Sequence, residues 1–133
     1  MTNKPKKILS EISAGELLDK ISILHIKLDK IKDKNSLDFI KNEYDVLIQE
    51  RDKNIDLNDE INNLYIELKT VNEKLWIIED EKRLCEKNSK FDEKFIQVSR
   101  DIHFLNDRRA VIKLNINKIL GSNIREIKLY TKY

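Results

Sequence analysis

The sequence holds little that breaks a helix or staples a small fold: its 133 residues contain one proline, two glycines and one cysteine. So few turn formers disfavour a sandwich or barrel, which needs frequent sharp turns. The lone Cys85 cannot form an internal disulfide, and no CxxC or Cys/His cluster offers zinc ligands. No apolar run approaches the ~18 residues of a bilayer-spanning helix, and the polar start lacks the apolar stretch of a secretion signal. The glycine-rich phosphate loop, the Gly-x-Ser-x-Gly elbow and the HExxH pattern are missing too, which weighs against the common nucleotide-binding and hydrolase classes. These absences predict a soluble, cytoplasmic chain with no cofactor, no metal and no membrane span.

Charge, by contrast, is abundant but unevenly placed. The net +2 combines +3 from residues 1–10, −6 from residues 11–99 (15 basic, 21 acidic) and +5 from residues 100–133 (8 basic, 3 acidic). Both ends are basic and the middle is acidic. Lys, Ile and Asn are all common, as an AT-rich genome dictates, so part of the lysine content is codon supply. Lys4, Lys6 and Lys7 sit in a polar start rather than along one helical face, which favours solvated charge over nucleic-acid binding.

Apolar spacing predicts a mainly α fold, an antiparallel helical bundle around a long α-hairpin, in one domain spanning 1–133. Ser13 followed by Glu16 is a capping-box pattern, and Leu17, Ile21, Leu24, Leu28 and Ile31 form the stripe of a first helix over 14–33. Ser36 is the expected cap of a second helix, 37–52, with Leu37, Ile40, Tyr44 and Leu47. The third, 58–87, places Ile61, Leu64, Leu68, Val71, Leu75, Ile78 and Cys85 on one side. After a break at Asn88-Ser89-Lys90, Phe91, Phe95, Val98, Ile102, Leu105, Ile112, Ile116 and Ile119 define a fourth, 92–120, closed by Gly121. A connection this short makes the long helices antiparallel. Residues 7–12 and 124–130 read as short strands that could pair.

Polar groups interrupt these stripes. Arg109 stands four after Leu105 and three before Ile112, in the seam, where an unpaired guanidinium is costly. Asn106, Arg109, Lys113 and Asn117 share one flank of the fourth helix; Asn72, Trp76, Glu79 and Arg83, with Asp80 adjacent, share one flank of the third. Folding the hairpin about residue 89 brings Asn72 to Asn106 and allows Glu79 to pair with Arg100. Glu16, Asp19, Lys20 and Lys27 lie beside the first helix's stripe. Two readings stay open: a polar cleft in which Arg and Lys hold an anionic small molecule, or an internal ion-pair network that sets helix register. Trp76, Cys85, His25 and His103 read as packing or structural residues.

The strings Ser13-Ala14-Gly15-Glu16-Leu17-Leu18-Asp19-Lys20-Ile21, Leu75-Trp76-Ile77-Ile78-Glu79-Asp80, Asn106-Asp107-Arg108-Arg109-Ala110 and Gly121-Ser122 with Glu126-Ile127-Lys128 and Tyr130 resemble an uncharacterised family of short bacterial and phage proteins, domain of unknown function 6165, sometimes found near genes for cell-surface sugar assembly. The resemblance implies helices over most of the chain and no particular activity. The family-pattern positions matched here include Glu16, Asp19, Lys20, Lys27, Asn72, Trp76, Glu79, Asp80, Arg100, Asn106, Arg108, Arg109 and Lys113, which are the candidate ligand-binding residues.

The leading functional expectation is a non-catalytic binding or assembly module, self-associating as a homo-oligomer or with a protein partner, and accessory to surface-polysaccharide metabolism. The second is a small helical enzyme or sensor for an anionic metabolite, loosely similar to chorismate mutases, although those enzymes use an arginine early in the first helix and this one has only lysines there. Nucleic-acid binding through a basic pole is the third.

Overall fold

Four side-chain caps divide the chain. In a computed structural model that describes residues 6–133, they open α1 (Ala14–Lys30), α2 (Lys34–Asn54), α3 (Asp59–Lys87) and α4 (Glu93–Leu120). Lys4 of the basic start lies outside the described residues. Ser13 Oγ accepts the Glu16 N–H at 3.1 Å, Asp33 Oδ2 the Ser36 N–H at 2.9 Å, Asn58 Oδ1 the Ile61 N–H at 2.9 Å and Asp92 Oδ1 the Phe95 N–H at 3.5 Å. Each answers one of the amides a helix start leaves without an intrahelical partner, a contribution of about 1 kcal/mol.

Two caps differ from the sequence reading. Asp33, not Ser36, opens α2, because its carboxylate accepts both the Ser36 N–H and, at 2.7 Å, the Ser36 hydroxyl. The second half of the Ser13–Glu16 capping box is not made among the described residues: the Glu16 carboxylate turns instead to Lys113, 2.6 Å away. At the other end of α4, Gly121 adopts φ 63 and ψ 39, and the Ser122 N–H returns to the Asn117 carbonyl at 2.9 Å, a Schellman closure.

α3 and α4, about 44 and 42 Å long at ~1.5 Å per residue, form the hairpin. Ile61, Leu68, Val71 and Leu75 meet Val98, Ile102, Ile112 and Ile116 in its seam, and Leu17, Leu18 and Ile21 of α1 close the same core. Phe91 lies before α4 and is exposed, so the apolar stripe of that helix starts at Phe95. α1 runs antiparallel to α4, since Gly15 meets Asn117, Asp19 meets Arg109, and Ile26 lies with Asn106. It ends at Lys30, where Ile31 turns extended, so the hairpin continues well beyond it. α2 buries none of its residues; it rests on α1 and sends Tyr44, Leu47 and Ile48 against the core. Burial there, with Tyr44 beside it, pushes the Tyr65 phenol up to about 12.

The expected strand pair is not formed: the described residues contain no strand. Segments 6–12 and 124–133 are tied by a side-chain hydrogen bond from Asn123 to Glu11 at 2.8 Å, while Ile8, Leu9, Ile127 and Leu129 stay exposed. Lys6, Lys7, Arg125, Lys128 and Lys132 outnumber Glu11 and Glu126 in the two segments, and this excess of like charge disfavours a cross-strand ladder.

The two glycines respond differently to alanine. A Cβ at Gly15 falls 2.5 Å from the Lys113 carbonyl oxygen and 2.9 Å from Asn117 Oδ1, whereas at Gly121 nothing lies within 4 Å and only the positive φ resists. Chemical denaturation of Gly121→Ala is expected to show a loss of about 1 kcal/mol, and of Gly15→Ala about 3 kcal/mol, because backbone must yield. Equal losses would contradict this docking of α1 on α4.

Candidate functional site

Asp19 sits on the face of α1 that meets both long helices, and is 1% exposed. Arg109 of α4 grips it with two nitrogens, Nε donating to Oδ1 at 2.9 Å and Nη2 to Oδ2. Asn72 of α3 donates to the same Oδ1 at 2.9 Å and to Ser22 Oγ at 2.7 Å, while the Ser22 hydroxyl donates to the Asp19 carbonyl at 2.7 Å. Lys113, one turn beyond Arg109, lies 3.6 Å from Asp19 Oδ2, 2.6 Å from Glu16 and 3.7 Å from Glu126. A planar guanidinium fork suits a carboxylate, and here three helices are joined through one.

The electrostatics follow. Burial alone raises the Asp19 pKa, but hydrogen bonds from Arg109 and Asn72, together with the charges of Arg109 and Lys113, outweigh it and hold the carboxyl below its ordinary value. The hydrogen bond to Asp19 likewise raises Arg109 above its own, against burial. Asp19 is therefore an anion locked between cations rather than a proton-transfer group.

Next to this network, beside the last turns of α1, lies an open cleft of about 560 Å³. Ile23, Ile26 and Leu75 make its apolar floor with the half-buried Trp76; Asn72, Asn106 and Arg109 form its inner wall; Lys30, Glu79, Asp80, Glu81 and Arg83 ring it. The five ring charges make no ion pair and no side-chain hydrogen bond with the described residues, in contrast with the paired groups beneath. On the far side of Asn106 the C-terminal segment encloses a second cavity of about 440 Å³, where Lys128, Tyr130 and Thr131 face His103, Asn106 and Asp107. The Tyr133 hydroxyl donates to Asp107, which holds that phenol above its ordinary pKa, and its ring lies tilted to that of His103 with centroids 5.0 Å apart.

The candidate residues thus fall into three groups. Glu16, Asp19, Asn72, Arg109 and Lys113 converge in the network, and Trp76, Glu79, Asp80 and Asn106 line the cleft with Asn72 and Arg109. Lys20 is exposed, 3.8 Å from Glu16, and Lys27 is half-buried in the last turn of α1. Arg108 pairs with Glu67 on the surface. Glu79 and Arg100 form no ion pair; Arg100 lies over the Phe104 ring at 5.7 Å, because position 100 faces away from the cleft. Ser22 and Lys30 were not among the candidates. Ser22 stands three after Asp19, within a stripe of Ile and Leu, a polar interruption of the kind that drew attention to Arg109. Among the described residues no group of three His, Cys, Asp or Glu side chains could hold a metal ion.

Removing either partner of the buried pair separates their roles. Arg109→Met takes the guanidinium fork from Asp19 and leaves the buried anion only Asn72 and, 3.6 Å away, Lys113, a loss of about 3 kcal/mol at neutral pH. Asp19→Asn is expected to cost less, since Arg109 is 28% exposed and can rehydrate. The pH dependence has opposite signs. In the native chain the folded pKa is depressed, so this stability is full above the unfolded value near 3.8 and is lost as pH falls through the folded one. In Arg109→Met the hydrogen bond and charge that Arg109 sets against burial are gone, so the Asp19 pKa rises relative to the native chain and the deficit shrinks as acid neutralises Asp19. Denaturation at a series of pH values reads both; an Arg109→Met deficit that does not change with pH contradicts the pairing.

No helix among the described residues is long and apolar enough to cross a membrane. No curated protein and no solved structure matches the chain. The model of a family of unknown function, DUF6165, matches residues 8–132, a span that holds the network, the cleft and the C-terminal cavity together, and the chain therefore belongs to that family.

Proposed function

We propose that the protein is a non-catalytic binding and assembly module whose docking seat is the cleft beside the last turns of α1. One observation carries this reading: the groups best suited to chemistry or to anion capture are already engaged with one another, Arg109 and Asn72 with Asp19 and Lys113 with Glu16, while the cleft beside them keeps an apolar floor and charges that have no partner among the described residues. Such a site recognises shape and charge without a poised base or nucleophile. Exposed Ile66, Ile77 and Leu84 recur along one edge of α3, which supports self-association as part of the same role. The buried, unpaired Cys85 suits a reducing cytoplasm. The accessory place in surface-polysaccharide metabolism rests on the family resemblance alone.

The enzyme or sensor reading requires an anionic metabolite to displace Asp19 from Arg109. A photo-crosslinking side chain at Arg83, on the cleft rim, is expected to capture one identifiable species in cells, and the same group at Lys118 is not. The species, once purified, should bind the isolated protein and shift the emission of Trp76, the only tryptophan in the chain. Saturable binding of a small anionic metabolite that disappears in a folded Arg109→Lys variant would contradict this reading and favour the enzyme or sensor.

A further inference from the structure

We infer that the occupant of the cleft is a basic amphipathic helix of a protein partner; the inference rests on the docking reading above and names its ligand class. α1 packs on both α3 and α4. Its last turns, from Ile23 to Lys30, flank the cleft on one side and Asn72 to Arg83 of α3 flank it on the other, and no helix among the described residues covers the groove between them. A helix laid there packs on both, ridges into grooves, with the exposed part of Trp76 beneath it.

The charge of the rim selects the partner. Arg109 is neutralised by Asp19, which leaves Lys30 and Arg83 against Glu79, Asp80 and Glu81, a net negative ring. The C-terminal end of α1 adds its own partial negative charge at the same place. Glu79, Asp80 and Arg83 follow Trp76 at spacings of three, four and seven, so they line one face of α3 beside the indole. None of the five rim charges is paired within the described chain, so a docking helix meets them without breaking an existing ion pair. A helix with leucine-like anchors at i, i+3, i+4 and i+7 and lysine or arginine flanks satisfies floor and rim together.

Two short synthetic helices of one design, Leu/Lys and Leu/Glu, test this with Trp76 emission as the readout. The Leu/Lys helix is expected to shift the emission to the blue and to bind less tightly as salt rises. The variant E79Q/D80N/E81Q is expected to weaken it on the order of tenfold without loss of helix content, since exposed charge pairs contribute modestly one by one. Equal or tighter binding of the Leu/Glu helix, or Leu/Lys binding that the triple variant leaves intact, overturns the inference. A silent Trp76 with both helices, alongside a partner cross-linked at Arg83 that does move it, removes the basic helix and keeps the docking seat; failure of both removes the seat as well. A second copy of the chain as the species captured at Arg83 overturns the basic helix in favour of self-association.

Discussion

The carboxylate of Asp19 is the point on which three of the four helices depend. An anion this buried is tolerated only when its lone pairs are answered, and here α3 sends Asn72 and α4 sends Arg109 and Lys113 to do so. The consequences reach outward. Asp19 fixes the rotation of α1, which brings Gly15 against the Lys113 carbonyl and Ser22 under Asn72. The same rotation sets Ile23, Ile26 and Lys30 of α1 along one side of the cleft. A set of apolar stripes alone leaves helices free to slide or turn; a bidentate ion pair with one amide partner does not.

The same constraint explains why the polar residues of this chain divide into two populations. Those beneath the surface pair among themselves and position the helices. Those on the rim, Lys30, Glu79, Asp80, Glu81 and Arg83, stand around Trp76 with no partner among the described residues. The first population gives the cleft its shape and the second gives it its chemistry. In this view Arg109, the most conspicuous charged interruption in the sequence, acts through the fold, and the recognition proposed above falls to residues of α3 and the last turns of α1.

Much of the architecture was legible because helical periodicity is a strong signal when breakers are rare. The seam residues from Ile61 to Leu75 and from Val98 to Ile116 follow directly from it. What escaped depends on choices between chemically equivalent groups. Asp33 and Ser36 are both good caps, and only the three-dimensional arrangement shows that one accepts from the other. Glu16 can return to its cap or reach across to Lys113, and a partner 97 residues away decides the matter. Arg109 and Asn72 were recognisable as polar intruders, yet their shared partner on α1 was not, since no spacing rule links residues 19, 72 and 109. The terminal segments alternate like strands, but alternation states a preference and pairing needs a neighbour that like charges discourage here.

The central claim is that Asp19 and Arg109 act as one structural unit, and a double-mutant cycle tests it most directly. If they do, unfolding of Asp19→Asn/Arg109→Met will show it to be less destabilised than the two single losses summed, and milder than Arg109→Met alone, because removing both charges leaves no buried ion without a partner. Losses that add to within about 0.5 kcal/mol would contradict the account.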